Sequence, residues 1–323
     1  MDTLPTLLLL ALPASGKSEL RRYLDTRSAE ELAEFHLQPT VQLDDYPYVH
    51  LMRRISAELT RLDSPPVFFT SSDESWLDPR DWGALIHLLN EDYAAFTNPA
   101  PSPAAAADTL LRRLDAARRA AGAPAPFESL DGRVRAELCA AIEQEASELG
   151  SAGPVDLAAH TVLIEFARGG PEGAPMPLTP PRGYDYSLSQ LASSILESAA
   201  VLYVWVEPAE SRRRNRERAK PGREGEASIL HHGVPETVMT KEYGTDDVEW
   251  LMENSDRPDT IAVSAHGRVF RIPIVRFDNR VDRTSFLRAD PAGWDHQLVA
   301  ALKSSLVDSF GRLAALRAEQ AAG

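Results

Sequence analysis

Apolar residues in this chain form short runs that are separated by longer amphipathic segments. The runs at 6–11, 160–170 and 200–208 are continuous rather than alternating, which is typical of strands buried on both faces of a parallel sheet. A helix is predicted over 17–24 and a second short strand over 40–46. Strands that are separated by helices indicate an α/β fold with a mainly parallel sheet.

The middle of the chain has a helical pattern. Amphipathic segments near 109–121 and 133–149 follow a linker that is rich in Pro and Ala. We therefore predict that residues 64–155 are a mainly helical insertion, and that residues 1–63 and 156–323 form the core into which it is inserted.

The last third of the chain predicts a helix near 187–199, two strands joined by a hairpin turn at His266-Gly267, and a long amphipathic helix over 294–319. We predict that the core is a five-stranded, mostly parallel sheet flanked by helices. Residues 207–228 contain an arginine run followed by glycines and charged residues, and we predict that this segment is a mobile lid.

The composition narrows the classes of partner. A hydrophobic content of 43% with 25% charged residues is that of a soluble globular protein. The net charge of −14 argues against nucleic acid as a partner of the whole surface. No apolar run approaches the ~20 residues of a membrane helix, so no membrane partner is expected. The single cysteine and the acidic residue before the run Leu7–Leu12 predict a cytoplasmic protein. The oligomeric state is left open, with a homodimer as one option.

A candidate phosphate-binding loop lies between the first strand and the first helix. The stretch LALPASGKS matches the pattern G-x-x-x-x-G-K-[ST], except that Ala11 replaces the first glycine. Alanine fits there if its φ stays negative, because backbone N–H groups further along the loop hold the phosphates. The alternative is a chance strand–turn–helix. We expect the loop to bind ATP through Pro13, Ala14, Ser15, Gly16, Lys17, Ser18 and Glu19.

The roles within the loop follow from its chemistry. Lys17 is expected to span the β- and γ-phosphates as a catalytic cation, and the Ser18 hydroxyl to hold Mg²⁺. Glu165 ends a buried apolar strand, which is where an acidic residue supports Mg²⁺ or its waters; a salt-bridged glutamate is the alternative. Asp44 and Asp45 end the second strand, at the sheet edge where ligands of open α/β folds bind. A carboxylate there can take the proton of a hydroxyl that attacks the γ-phosphate.

The arginine run RRRNRER occupies residues 212–218 and opens the predicted lid. Arginines here would neutralise charge as the phosphoryl group moves, and we assign this role to Arg212, Arg214 and Arg216. An RNA-binding surface is the alternative, but no aromatic residue lies within the run to stack on bases.

Four separate motifs resemble those of one enzyme family. LALPASGKS, LDDYPY, VLIEFARGG and LYVWVEPAESRRRNRER are similar to motifs of the uridine kinase, phosphoribulokinase and glycerate kinase group of P-loop kinases. The resemblance implies that Asp44 is the catalytic base and that Asp45 and Tyr46 face the acceptor. The sequence departs from the family's pattern after Glu165, where Phe166 stands in place of a glycine. The form PASGKS also resembles polynucleotide-kinase-like and zeta-toxin-like proteins.

The motifs together predict a kinase with a P-loop fold. It would use ATP and Mg²⁺ to phosphorylate a hydroxyl of a small metabolite or nucleoside, by placing that hydroxyl in line with the γ-phosphate. A nucleotide-binding switch protein and a polynucleotide-kinase-like enzyme are the alternatives. The sequence does not identify the acceptor, the choice between ATP and GTP, or the role of residues 231–253.

Overall fold

The computed structural model describes residues 3–98, 106–149, 155–218 and 233–322. Most of the predicted Pro/Ala linker lies outside these ranges, as do residues 219–228 of the predicted lid. Among the described helices, none has both the length and the apolar composition needed to span a membrane.

A mixed six-stranded sheet forms the centre of the α/β fold. Its order is β2-β3-β1-β4-β6-β5, and every neighbouring pair is parallel except β5 and β6. The strands are β1 (Thr6–Leu10), β2 (Thr40–Asp44), β3 (Thr161–Phe166), β4 (Ala199–Trp205), β5 (Thr260–Ala265) and β6 (Arg268–Asp278).

The predicted number of five strands is wrong by one. The C-terminal hairpin supplies two strands, with β6 parallel to β4 and β5 antiparallel at the sheet edge. The hairpin turn itself is where the sequence placed it. His266 and Gly267 have φ values of 51° and 74°, the left-handed geometry of a tight two-residue hairpin.

Helices cover both faces of the sheet and form the middle of the chain. They are α1 (Lys17–Asp25), α2 (Ala29–Glu34), α3 (Tyr46–Arg61), α4 (Asp81–Thr97), α5 (Ala106–Ala120), α6 (Gly132–Leu149), α7 (Gly183–Ser189), α8 (Ser193–Ser198), α9 (Pro208–Arg218), α10 (Glu236–Lys241), α11 (Val248–Glu253) and α12 (His296–Ala322).

The helix predicted near 187–199 is instead two short helices, α7 and α8. The break between them is stabilised by Asn90 of α4, a residue distant in sequence. Its side-chain amide donates a hydrogen bond to the Gln190 carbonyl and accepts one from the Ala192 N–H. Backbone groups that would be unpaired at the break are thereby satisfied.

Side chains of each central strand point alternately to two apolar cores. Leu8 and Leu10 pack against α4, α7 and α8, whereas Leu7 and Leu9 pack against α1 and α12. A third core lies among α3, α4, α5 and α6. Helix α4 contributes to both the first and the third core, and it therefore fixes the helical layer to the sheet.

Replacing Ile164 by alanine should test the buried centre of β3. Its side chain is fully buried, so we expect the free energy of unfolding to fall by about 2–5 kcal/mol. Val281 is 77% exposed, and Val281→Ala should change stability by less than about 0.5 kcal/mol. Urea denaturation measures both; equal losses would contradict the assigned core.

Candidate functional site

The loop after β1 lies where the strand order reverses. β1 has β3 on one side and β4 on the other, and such a switch point opens a crevice at the carboxyl ends of the strands. Gly16 precedes α1 with φ 109°, and a Cβ there would lie 2.4 Å from the Thr284 hydroxyl oxygen. Glycine is therefore needed at this position for both conformation and space. Ala11 is not among the described residues with positive φ, so it meets the condition set for alanine.

Lys17 is the first residue of α1, directly after this loop, and only 5% of its surface is exposed. Its ammonium donates hydrogen bonds to the carbonyls of Ala11 and Leu12, at 2.9 and 3.2 Å. None of the described carboxylates lies within ion-pair distance of it. Burial lowers the pKa of Lys17, while the negative charge of Glu165 opposes that shift.

Carboxylates of two neighbouring strands meet opposite Lys17. Asp44 and Glu165 are partners across the β2–β3 ladder, and the Ser18 hydroxyl donates to Glu165 Oε1 at 3.0 Å. Burial raises the pKa of Glu165, and the nearby charge of Asp44 adds to the increase. Burial likewise raises the pKa of Asp44, with Arg21 acting against it and Asp45 adding to it. The acids are thus close enough to repel one another.

Two arginines that the sequence analysis missed hold these acids. Arg21, one turn after Lys17 on α1, lies 2.6 Å from Asp44 Oδ2 and 3.3 Å from Glu165 Oε2. Arg168 lies 2.6 Å from Asp45 Oδ2 and is 1% exposed. The four-residue spacing from Lys17 was a sequence signal for Arg21.

Tyr184 of α7 ties the loop to the neighbouring strand. Its hydroxyl accepts a hydrogen bond from the Ala11 N–H at 2.9 Å, and it lies 2.9 Å from the Ala11 carbonyl and 3.0 Å from that of Phe166. The ends of β1 and β3 are therefore held in one register by a side chain from a different element.

The arginine run forms part of α9, but the three arginines assigned to phosphate contact do not line the cavity. Arg212 pairs with Glu172, Arg214 with Glu210 and the Asn279 carbonyl, and Arg216 with Glu236. The expectation that these three arginines contact the phosphates is therefore corrected, because each guanidinium pairs with a carboxylate outside the cavity lining.

Arg218 is the member of the run that reaches the cavity. Its guanidinium lies 3.1 Å from Glu19, which is fully buried and also pairs with Arg288 at 2.6 Å. Glu19 was expected to touch the nucleotide, yet it is not among the residues that line the cavity. It instead holds Arg218 beside the loop.

The cavity over the loop has a volume of about 300 Å³. The loop from Pro13 to Ser18 and the three acids line one part of it. Tyr46, which directly follows Asp45, and a group of aromatic side chains line it as well. The structure therefore brings together the predicted loop, Asp44, Asp45, Tyr46 and Glu165 in one cavity.

Comparisons of the chain with known protein families, curated proteins and solved structures found no match in any of the three.

Replacing Tyr184 by phenylalanine should test the tie between β1 and β3. The change leaves the buried Ala11 N–H without its partner, and we expect a loss of about 1–3 kcal/mol in the free energy of unfolding. Tyr186 of the same helix is the matched control, because its hydroxyl makes no hydrogen bond with a described residue. Tyr186→Phe should cost less than about 1 kcal/mol. Equal costs in urea denaturation would remove the role given to Tyr184.

Proposed function

We propose that this protein binds ATP with Mg²⁺ and transfers the γ-phosphate to a hydroxyl of a small molecule. One observation carries the proposal: the buried ammonium of Lys17, which pairs with none of the described carboxylates, lines the same cavity as Asp44, Asp45 and Glu165. Such a cation, set at the start of a helix, is suited to phosphate oxygens.

The loop has the donors that a phosphate chain requires. The N–H groups of Gly16, Lys17 and Ser18 make no hydrogen bond with another described residue. They belong to the first turn of α1, where N–H groups lack partners within the helix and the helix dipole favours anions. The Ser15 hydroxyl is buried and also lacks a hydrogen-bond partner among the described residues. A triphosphate would satisfy these groups.

The charges of the site explain why a metal ion is needed. Three carboxylates, Asp44, Asp45 and Glu165, are balanced by three cations, Lys17, Arg21 and Arg168, while Arg218 is engaged by Glu19. A triphosphate adds negative charge that these groups do not neutralise, so Mg²⁺ would accompany it.

Ser18 and Glu165 fit this metal. The Oε2 atom of Glu165 is buried and accepts no hydrogen bond from a described residue, and its one ion-pair contact among them is with Arg21 at 3.3 Å. No group of three or more metal-binding side chains occurs in the described part of the chain. Mg²⁺ commonly keeps several waters and binds one or two carboxylates together with phosphate oxygens, which suits this pair. When bound, Mg²⁺ would neutralise charge on those oxygens.

The protein's own residues would position and activate the hydroxyl. Asp44 accepts its proton, as its place at the end of β2 permits, and Arg21 keeps that carboxylate oriented. Lys17 and Arg218 offset the charge on the transferring group. The sequence resemblance to P-loop kinases of the uridine kinase, phosphoribulokinase and glycerate kinase group supports the same assignment, as does a ligand crevice at the β1 switch point.

A nucleotide-binding switch is the second candidate. One observation favours it: both Asp44 oxygens accept hydrogen bonds, from Arg21 at 2.6 Å and from the Tyr46 N–H at 2.9 Å. Both oxygens that could take the proton of a hydroxyl are thus already engaged by donors. A switch would bind ATP, but no hydroxyl compound would raise ADP release above the rate of hydrolysis, whereas a kinase predicts such stimulation.

Lys17→Ala should weaken ATP binding by about 10- to 100-fold, because a charge-assisted contact to the phosphates is lost. Calorimetric titration with Mg²⁺ and ATP measures the change, and circular dichroism checks that the fold remains. Lys303→Ala removes an exposed lysine of α12 that pairs with Glu34, and it should leave affinity unchanged. Equal affinity of Lys17→Ala and the native protein would refute the loop assignment.

Asp44→Asn should retain ATP binding and reduce phosphate transfer by at least about 100-fold, since the amide cannot accept the proton. ADP production is measured across a panel of hydroxylated metabolites and nucleosides. Asp308→Asn changes an exposed aspartate of α12 and serves as the control. Undiminished transfer by Asp44→Asn would exclude Asp44 as the base.

A further inference from the structure

Four aromatic rings form a continuous wall in the cavity, which we call its aromatic end. Phe69 and Trp76 have ring centroids 4.2 Å apart, Trp76 and Trp82 5.3 Å, and Trp82 and Tyr243 5.8 Å. All four side chains line the cavity. Continuous aromatic walls of this kind favour a flat, apolar ligand body.

Arg53 of α3 lines the same cavity. It lies eight residues after Asp45, and a rise of about 1.5 Å per residue places the two backbones roughly 12 Å apart. Its guanidinium lies 4.0 Å from the centre of the Phe69 ring. Arg53 and the acids therefore line one cavity from positions about two helical turns apart.

The hydrogen bonds of Arg53 leave one edge of its guanidinium unused. Nη1 donates to the Ser72 carbonyl at 2.6 Å and lies 3.5 Å from that of Ser71, whereas Nε and Nη2 have no acceptor among the described residues. No described carboxylate lies within ion-pair distance of Arg53, although Asp73 lines the same cavity and its charge acts on Arg53. The neighbouring Arg54, in contrast, pairs with Glu58 at 3.1 Å. The Nε–Nη2 edge is the one that binds a carboxylate or phosphate through two parallel hydrogen bonds.

Two further polar groups accompany Arg53. The Ser75 hydroxyl is buried without a hydrogen-bond partner among the described residues. The Tyr243 hydroxyl likewise makes no hydrogen bond to them, and burial raises the pKa of Tyr243, so it remains a donor at neutral pH. Both residues line the cavity beside the aromatic wall and could bind polar substituents of a ring.

We propose that this aromatic end of the cavity binds the phosphate acceptor, and that the acceptor is a flat-ringed organic anion. Its carboxylate or phosphate binds the Nε–Nη2 edge of Arg53, its ring lies against the aromatic wall, and its hydroxyl reaches Asp44. The inference rests on the proposed kinase function, which it extends by naming the class of substrate.

The proposed transfer of phosphate requires no reactant besides ATP and the acceptor. The acceptor oxygen forms a bond to the γ-phosphorus while the bond between that phosphorus and the β–γ bridging oxygen breaks. The hydroxyl proton passes to Asp44, and ADP leaves with the bridging oxygen. The product is a phosphate ester that keeps its original anionic group.

A set of three matched probes tests the proposed class. The first is para-(hydroxymethyl)benzoate, which carries a hydroxyl and a carboxylate at opposite ends of a ring. The second, para-benzenedimethanol, lacks the anion; the third, trans-para-(hydroxymethyl)cyclohexanecarboxylate, lacks the flat ring. The arylphosphonate analogue of the first probe distinguishes carboxylate from phosphate recognition. Tryptophan fluorescence reports binding directly because Trp76 and Trp82 line the cavity.

We expect the benzoate to bind about tenfold more tightly than either the diol or the cyclohexane analogue. Arg53→Gln should remove that preference for the anion, weakening benzoate binding by about tenfold. Arg54→Gln carries the same charge change on the adjacent exposed residue, and it should alter binding by less than about twofold.

The proposal is overturned if neither the benzoate nor the phosphonate binds more tightly than the diol at millimolar concentration, which includes the case in which none binds. It is also overturned if Arg53→Gln and Arg54→Gln behave alike. These titrations contain no nucleotide, so they succeed or fail independently of ATP binding. Selective binding of the anion without acceptor-stimulated ADP release would retain this binding site and reject the kinase function.

Discussion

The arrangement of the site depends on burying three carboxylates beside one ammonium group. Asp44 and Asp45 lie at the end of β2, and Glu165 lies near the end of the neighbouring strand β3. Burial opposes the ionisation of all three carboxylates. Charged groups are retained in such surroundings only when they are paired and hydrogen-bonded. Arg21 and Arg168 provide the pairing, which leaves Lys17 held by backbone carbonyls rather than by an acid.

The scaffold keeps these charges in place from several directions. β1 and β3 are fully buried strands, and Tyr184 fixes their ends relative to each other. Arg168 lies 4.7 Å from the centre of the Trp82 ring, and Trp82 belongs to α4, which packs on the sheet and on the helical layer. The aromatic end of the cavity and the acidic end are therefore connected through the same helix.

The local parts of this arrangement could be predicted from the sequence. The loop from Pro13 to Ser18 follows a buried strand and opens a helix, and both elements depend mainly on neighbouring residues. Asp44 and Glu165 could be placed at one edge because parallel strands end on the same side of a sheet. The predicted total of five strands was one short of the six observed, although the C-terminal hairpin itself was predicted.

The tertiary parts could not be predicted in this way. Nothing near Arg168 in sequence identifies Asp45 as its partner, which is 123 residues away. The arginine run gave a strong signal of charge, but Arg212, Arg214 and Arg216 pair with acids outside the cavity lining, two of which are distant in sequence. Arg53 belongs to no motif, and only the fold brings it to the cavity that the loop and the acids line.

The most direct measurement is a crystal structure with Mg²⁺ and a non-hydrolysable ATP analogue. The account predicts that Lys17 leaves the carbonyls of Ala11 and Leu12 to contact the terminal phosphates, with the metal beside Ser18 and Glu165. A well-ordered crystal in which the loop holds no phosphate at saturating analogue, with Lys17 still bound to those two carbonyls, would contradict it.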